Sequence, residues 1–286
     1  MEFQRRPRSG IGEQFTEVGP DVYVLRYPVL DVNSTLIVGA EAAIVVDTLS
    51  SDAQGTELLA AVRTVTDQPL VVVNTHHHFD HCFGNATLAA STPGVSIWAH
   101  EATATTLRED GAKLQRAWYE EYADRDPELA SGLAAVTLCP PDRTVHTESI
   151  MDIGGRVIEL RHFGRGHTEG DLVVAVPDAG VLLAGDLVEQ GGPPSFEDSF
   201  PLDWPETLAA LRQLDWTRTV VPGHGSTVDL DYVRAQHDEL TELAWLIREG
   251  HADGAASEAV AAKAPYEPEV ALVAVKRGYA DLDGRL

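Results

Sequence analysis

The sequence predicts an α/β protein with both parallel and antiparallel strands, in which two β-sheets pack together between outer helices as a four-layer αββα sandwich. Three observations support this. Strand-like and helix-like segments alternate in both halves of the chain. No short repeat, low-complexity tract or long linker divides it. Its 286 residues can also bury one large core. We therefore expect a single domain over 1–286.

The first half of the chain predicts strands that alternate with helices. Apolar and β-branched residues favour strands, and Gly39 marks a turn between two of them. Leu58, Leu59 and Val62 are spaced as on one face of a helix. The predicted strands are 22–27, two within 34–48, 70–74 and 95–99, and the predicted helices are 51–66 and 85–90.

The second half follows the same pattern after a polar, helix-prone stretch at 101–133, which we interpret as a helical insertion. The chain is expected to finish as C-terminal helices over about 231–280. Predicted strands are 157–163, 172–176, 181–184 and 219–221, and predicted helices are 205–214, 231–249, 255–263 and 267–279.

The charge and cysteine content of the chain limit the kinds of binding partner that we expect. The chain has 45 Asp and Glu against 21 Lys and Arg, a net charge of −24, which repels nucleic acid and anionic membranes. Only Cys82 and Cys139 are present, and no apolar stretch follows the N-terminal arginines. These features favour a cytoplasmic protein. We expect a small-molecule substrate, no nucleic acid and no membrane, and the sequence predicts no particular oligomeric state.

The run from Thr75 to His81 reads THHHFDH and directly follows the apolar strand at 70–74. A strand end fixes the origin of a loop whose side chains can then converge on a metal ion. His76 and His78 can point to the same side, whereas Asp80 and His81 come after the bend. Imidazole and carboxylate ligands suit zinc, and also iron or manganese.

The spacing of His76, His78, Asp80 and His81 is similar to the His-x-His-x-Asp-His signature of the metallo-β-lactamase superfamily. The resemblance extends from about residue 23 to 225 and implies that superfamily's fold. It implies that Asp47, at the end of AIVVD, supports the metal loop from behind.

Three later motifs complete the resemblance. In GRGHTEGD, His167 is implied to complete three imidazoles around the first metal, and Thr168 to fix the loop by hydrogen bonds. In LAGDL, Asp186 is implied to bridge two metals. In PGHG, His224 is implied to complete the second metal's ligands. Zinc β-lactamases carry cysteine or serine where this chain has Asp186, whereas glyoxalase II-like thioesterases, lactonases and phosphodiesterases carry aspartate.

The resemblance therefore implies a hydrolase with two divalent ions, for which zinc is preferred, and with the seven ligands His76, His78, Asp80, His81, His167, Asp186 and His224. A hydroxide between the ions would attack a small ester, thioester, lactone or related substrate, and Asp80 is the candidate catalytic residue that orients it or accepts its proton. Two alternatives stay open: an iron oxidoreductase like the persulfide dioxygenases, with one metal, and a β-lactamase-type amide hydrolase.

The sequence defines the residues that would contact the substrate less clearly than it defines the metal ligands. The loop after Asp186 and the 101–133 insertion are expected to overhang the metals, so their aromatic residues are candidates for an apolar wall. The alternative is that the insertion's aromatic residues pack its helix onto the core. Candidate wall residues are Phe79, Trp118, Tyr119, Tyr122, Phe196 and Phe200.

Overall fold

The computed structural model describes residues 15–286, which form two β-sheets. The N-terminal arginines considered above lie outside the described residues. One sheet has seven strands in the order β1 to β7, and the other has five in the order β12, β11, β10, β9, β8. The strands are β1 (Thr16–Gly19), β2 (Val22–Arg26), β3 (Asn33–Val38), β4 (Ala43–Val46), β5 (Leu70–Val73), β6 (Ile97–His100), β7 (Arg143–Val145), β8 (Glu148–Asp152), β9 (Val157–Arg161), β10 (Val173–Val176), β11 (Val181–Gly185) and β12 (Thr219–Pro222).

Helices cover both outer faces of the sheets. Leu58 and Leu88 belong to the cluster on the outer face of the first sheet, and Leu208, Leu243 and Val275 to the cluster on the second. The helices are α1 (Asp52–Val65), α2 (Phe79–Cys82), α3 (Asn85–Ser91), α4 (Glu101–Glu109), α5 (Gly111–Tyr122), α6 (Pro127–Ala135), α7 (Trp204–Leu211), α8 (Leu230–Ala252), α9 (Ser257–Ala261) and α10 (Pro268–Leu282). None of those described is long and apolar enough to cross a membrane.

The inner faces of the sheets meet in one apolar cluster. Ile44 and Val73 from the first sheet are buried there with Leu160 and Val174 from the second. Because apolar surface is removed from water between the sheets and again beneath the helices, the molecule has four layers. The predicted αββα architecture is confirmed.

The strands that the sequence did not predict are β1, β7 and β8, and all three lie at sheet edges. An edge strand has one unpaired side and tends to be short and polar. β8 reads ESIMD, with Glu148 and Asp152 exposed at its ends, so it lacks the apolar run that marked the central strands. Helix α2 was also missed, because four residues are too few to show helical spacing.

Strand direction brings distant residues to one edge of the sandwich. β4, β5 and β6 are parallel, and so are β11 and β12. The carboxyl ends of parallel strands lie on the same side of a sheet. Asp47 follows β4, His76 follows β5, Asp186 follows β11 and His224 follows β12. Four separate parts of the sequence therefore contribute to the same site.

His100 lies at the junction of β6 and α4, and its ring is neutral there. Its Nδ1 accepts a hydrogen bond from the backbone N–H of Ala102 at 3.2 Å and so caps the helix. Its Nε2 lies 3.0 Å from the carbonyl oxygen of His146 and must donate to it. The ring also stacks on His162, with centroids 3.9 Å apart. Protonation at Nδ1 would remove the cap.

Acid should therefore destabilise this junction. Burial, followed by His162, lowers the pKa of His100 to about 4, whereas an exposed histidine has a pKa of about 6.5. Between these values the unfolded chain binds a proton that the folded chain does not, so the contribution of His100 to stability falls as pH falls from about 6.5 to 4. His100→Asn keeps a capping acceptor without this titration. Urea unfolding at about pH 7 and pH 4.5 should show a smaller loss for the variant, and equal losses would contradict this account.

Candidate metal centre

Seven side chains with metal-binding chemistry converge at this edge of the sandwich. They form two groups, and within each group one ligand atom per residue lies within 4.8 Å of the others. These are the residues that the resemblance named as ligands, and the structure brings all seven together. The first group is His76, His78, His167 and Asp186, and the second is Asp80, His81 and His224.

The Asp186 carboxylate lies between the two groups. Its Oδ2 is 3.4 Å from His167 Nε2 and 3.7 Å from His76 Nε2, both in the first group. In the second group, His224 Nε2 is 3.3 Å from Oδ2 and His81 Nε2 is 3.2 Å from Oδ1. A carboxylate with two oxygens can contact a cation on each side, so this placement fits a bridging ligand.

Asp47 supports the metal loop from behind. Its carboxylate accepts hydrogen bonds from the Thr75 backbone at 2.8 Å and the Thr75 hydroxyl at 2.7 Å, and it lies 2.7 Å from Nδ1 of His81. Nδ1 of His76 lies 3.0 Å from the same hydroxyl. The Nε2 atoms of both histidines are therefore left to face the metal groups. Asp47 itself has φ +62°, a strained conformation for a non-glycine residue.

Asp198 takes the corresponding place behind His78. Its carboxylate lies 3.1 Å from Nε2 of His78 and 3.1 Å from Nε2 of His77. His78 therefore turns Nδ1 toward the first group, where it lies 2.9 Å from His167 Nε2. His77 belongs to neither of the two groups. Behind the second group, Nδ1 of His224 donates to the carbonyl oxygen of Leu30 at 2.9 Å.

Buried polar atoms without partners show that the donor set fits metal ions. His76 Nε2 and Asp186 Oδ1 are both buried and make no hydrogen bond, although His81 Nε2 lies 3.2 Å from that oxygen at an angle that does not form one. Burying such atoms unpaired is costly, so they point to a missing partner. Both atoms face the other side chains of the groups, where a divalent cation would satisfy them. Imidazole nitrogens with carboxylate oxygens suit Zn²⁺, Fe²⁺ and Mn²⁺.

The electrostatics of the metal-free site also favour cations. Although burial opposes charge on His224, Asp186 raises the pKa of this histidine to about 10, with Asp80 adding to the effect. Burial outweighs Asp186 at His167 and lowers its pKa to about 4. Against burial, His81 and then His224 hold the pKa of Asp186 well below its usual range. Protons thus occupy part of the space that metal ions would take, so metal binding should release them.

Thr168 shapes the turn after His167. Its backbone N–H and hydroxyl both donate to the Asp171 carboxylate, at 3.0 and 2.7 Å, and its hydroxyl accepts from the Gly170 N–H at 3.1 Å. Burial raises the pKa of Asp171 to about 7 despite these hydrogen bonds. Thr168 therefore acts on the loop that carries His167, without a hydrogen bond to any of the seven ligands among the described contacts.

Three of the candidate wall residues pack together beside the first group. Phe79 contacts Trp118 and Tyr122 with ring centroids 5.2 and 5.5 Å away. Trp118 also lies edge-on to His78, with centroids 5.9 Å apart. Helix α5, within the expected 101–133 insertion, thus both packs on the core and reaches the metal site.

The other three candidate wall residues lie elsewhere. Phe196 is only 1% exposed and belongs to the core cluster of the second sheet, where it packs against Trp204 and Tyr266. Phe200 is covered by the guanidinium of Arg165, 4.1 Å from its ring centre. Tyr119 is 42% exposed, and no described ring contact joins it to the site. Of the six candidates, Phe79, Trp118 and Tyr122 therefore pack together beside the first group, whereas Phe196 lies in the core, Phe200 lies under Arg165 and Tyr119 is largely exposed.

Sequence reasoning missed Asp198 and Glu189. Asp198 lies 120 residues from His78 in the chain, and nothing in PPSFEDSF marks it. Glu189 is a mostly buried carboxyl whose Oε1 lies 4.0 Å from His167 Nδ1. Burial, followed by Asp186, raises the pKa of Glu189 to about 8. Because Glu189 follows Asp186 by three residues, the sequence indicated that it lies near this ligand, but it did not indicate what Glu189 does there.

Gly223 should be essential for the position of Asp186. A Cβ at Gly223 would lie 1.6 Å from Asp186 Oδ1, so Gly223→Ala must displace that carboxylate. We expect metal affinity to fall by about 10- to 100-fold, as when a ligand loses its support. Gly192→Ala is the matched control, because its Cβ would meet nothing within 4 Å. Affinity can be measured by competition with a chromogenic chelator, and equal affinities in the two variants would contradict the placement.

Comparison with known proteins agrees with this geometry. The family model for the metallo-beta-lactamase superfamily matches residues 27–227. A hydroxyacylglutathione hydrolase from Synechococcus is 25% identical over 160 residues, which are 56% of this chain and 51% of that relative, so the match spans about half of its length. A type 2 metallo-beta-lactamase from Bacteroides fragilis is 25% identical over 201 residues, 68% of each chain.

A solved structure shows the same fold. The metallo-beta-lactamase from Pontibacter korlensis superposes with a TM-score of 0.65 over 80% of this chain and 98% of its own, at 23% sequence identity. The family match covers most of the chain and all seven clustered residues. The chain therefore belongs to the metallo-β-lactamase superfamily and has the histidine and aspartate clusters of a metallo-hydrolase.

Proposed function

We propose that this protein is a hydrolase that uses two divalent metal ions, preferably Zn²⁺. The observation that carries the proposal is the position of Asp186, whose oxygens lie 3.2 to 3.7 Å from imidazole nitrogens of both groups. His76, His78 and His167 would hold one ion, and Asp80, His81 and His224 the other. The presence of a second group of three possible ligands favours two ions over one.

The bound ions would supply an activated water and polarise the bond to be cleaved. Among the chain's own residues, Asp80 is the proposed catalytic carboxylate. Its Oδ2 lies 3.3 Å from His224 Nε2 and 3.7 Å from His81 Nε2. From there it can hold the attacking water and accept its proton. Trp118, edge-on to His78 and packed against Phe79, would shield the first group from water on that side.

The charged side chains around the site favour a substrate that has no need of a carboxylate group of its own in order to bind. The segment after Asp186 places Glu189 beside His167. Two nearby guanidiniums are already engaged: Arg165 pairs with Asp203, and Arg277 donates to backbone carbonyls. Among the described residues of this segment we find no cation left to pair with a substrate carboxylate. This favours a small ester, thioester or lactone over a β-lactam.

The relatives are consistent with this range. One is named a hydroxyacylglutathione hydrolase and another a metallo-beta-lactamase. We propose that this chain is closer to the first kind, because it has Asp186 where the zinc β-lactamases carry cysteine or serine. The C-terminal region has few basic residues, which disfavours a substrate that carries glutathione.

The Asp80→Ala variant tests the proposed role of Asp80. We expect kcat/KM on the best substrate from a panel of esters, thioesters, lactones, phosphodiesters and β-lactams to fall by about 10²- to 10⁴-fold, the range for loss of a general base. Asp110→Ala removes an exposed carboxylate that belongs to neither ligand group and serves as the control. Unchanged turnover in Asp80→Ala would contradict the mechanism.

Metal analysis of the same preparation separates the alternatives. Two zinc-like ions per chain together with hydrolysis support the proposal. One iron per chain with oxygen uptake on glutathione persulfide would replace it with an oxidoreductase. Preferred cleavage of β-lactams would overturn the substrate assignment while leaving the two-metal site in place.

A further inference from the structure

The segment between Asp186 and α7, residues 187–203, has almost no regular structure of its own. It is instead tied to the C-terminal helices α8 and α10, which lie beyond the family match at 27–227. Side chains of these helices hydrogen-bond to its backbone at five positions. The contacts are Gln236 to the Leu187 carbonyl (2.8 Å), the Glu189 N–H to Gln236 (3.1 Å), Tyr232 to the Glu189 carbonyl (2.7 Å), Arg248 to the Leu202 carbonyl (3.3 Å), and Arg277 to the Asp198 and Ser199 carbonyls.

Arg277 binds the backbone of two successive residues of this segment. Its Nη2 donates to the carbonyl oxygen of Asp198 at 2.8 Å and its Nε to that of Ser199 at 2.9 Å. The guanidinium also lies 5.6 Å from the centre of the Phe200 ring. A planar guanidinium that donates to two successive carbonyls fixes both the position and the direction of that backbone.

The residue held in this way is the one that orients His78. The Asp198 carboxylate accepts from His78 Nε2 at 3.1 Å, which requires the proton on Nε2 and leaves the Nδ1 lone pair facing the first group. The same carboxylate lies 3.1 Å from His77 Nε2. A shift of this backbone would move the acceptor for both histidines.

We propose that Arg277 is a positioning residue for metal binding by His78, and that it acts through Asp198. The inference rests on the proposed function only in taking His78 as a ligand. It makes the C-terminal helix part of the metal site, although none of its residues belongs to either ligand group among the described residues. The competing interpretation is that Arg277 only anchors α10 to the core.

Titration of the full-length, metal-free protein with Co²⁺ tests the proposal. Visible ligand-field absorption reports the ligand geometry, and competition with a chelator gives the affinity. Removing a partner that orients a ligand weakens metal binding by about 10- to 100-fold, so we expect a loss in that range for Asp198→Ala and about tenfold for Arg277→Met. Arg277→Lys, which keeps one donor, should lie between wild type and Arg277→Met.

Lys276→Met is the matched control, because it removes a positive charge from the neighbouring, exposed position of the same helix. It should bind Co²⁺ like the wild type. If Arg277 acts through Asp198, the double variant Asp198→Ala, Arg277→Met should bind no more weakly than Asp198→Ala alone, since coupled residues are not additive. Thermal unfolding of each metal-free variant shows separately how much Arg277 contributes to stability.

Three outcomes would overturn the proposal. Arg277→Met with wild-type affinity and spectrum, whatever its thermal stability, would show that the residue is only an anchor. Additive losses in the double variant would show that Arg277 does not act through Asp198. A wild-type protein that binds no Co²⁺ would remove the proposed function as well, whereas the first two outcomes leave that function intact.

Discussion

The buried carboxylate of Asp186 is the constraint on which the rest of the site depends. It is surrounded by imidazole nitrogens that approach from both groups, and one of its oxygens has no hydrogen-bond partner. A buried anion of this kind is stable only with positive charge beside it. Protons on His81 and His224 provide some of that charge in the metal-free protein. Divalent cations would provide it while also satisfying His76 Nε2.

Hydrogen-bond acceptors behind the imidazole rings hold the ligands in this arrangement. Asp47 and Asp198 lie behind the imidazoles of His81 and His78, and the carbonyl oxygen of Leu30 behind His224. Each support fixes which ring nitrogen faces inward, so the ligands are organised before a metal arrives. Asp47 sits at the end of a central strand, whereas Asp198 sits in a segment held by the C-terminal helices. The first group depends on both parts of the chain, because Asp47 also holds Thr75, whose hydroxyl lies 3.0 Å from Nδ1 of His76.

The sequence predicted what depends on local pattern. Central strands such as β4, β5, β10 and β11 could be predicted because each is an apolar run, and the four-layer fold followed from the alternation of strands with helices. The seven clustered residues could be predicted for two reasons. His76, His78, Asp80 and His81 lie together after a strand, and the other three lie in short motifs that match the superfamily.

What the sequence did not reveal depends on long-range packing. Edge strands such as β8 lack an apolar run because half of each faces solvent. Asp198 meets His78 only through the path of an irregular segment, and Arg277 reaches that segment from a helix near the end of the chain. Phe196 was expected beside the substrate because of its place after Asp186, yet the same segment turns its ring into the core. Such turns have no periodicity from which to infer them.

X-ray diffraction from crystals soaked in Zn²⁺, with data collected on both sides of the zinc absorption edge, would test the central claim most directly. The account predicts two anomalous peaks per chain, one on each side of the Asp186 carboxylate, with His78 Nδ1 and the Nε2 atoms of the other four histidines as nitrogen ligands. A single peak, or a peak between His77 and Asp198 in place of those two, would contradict it.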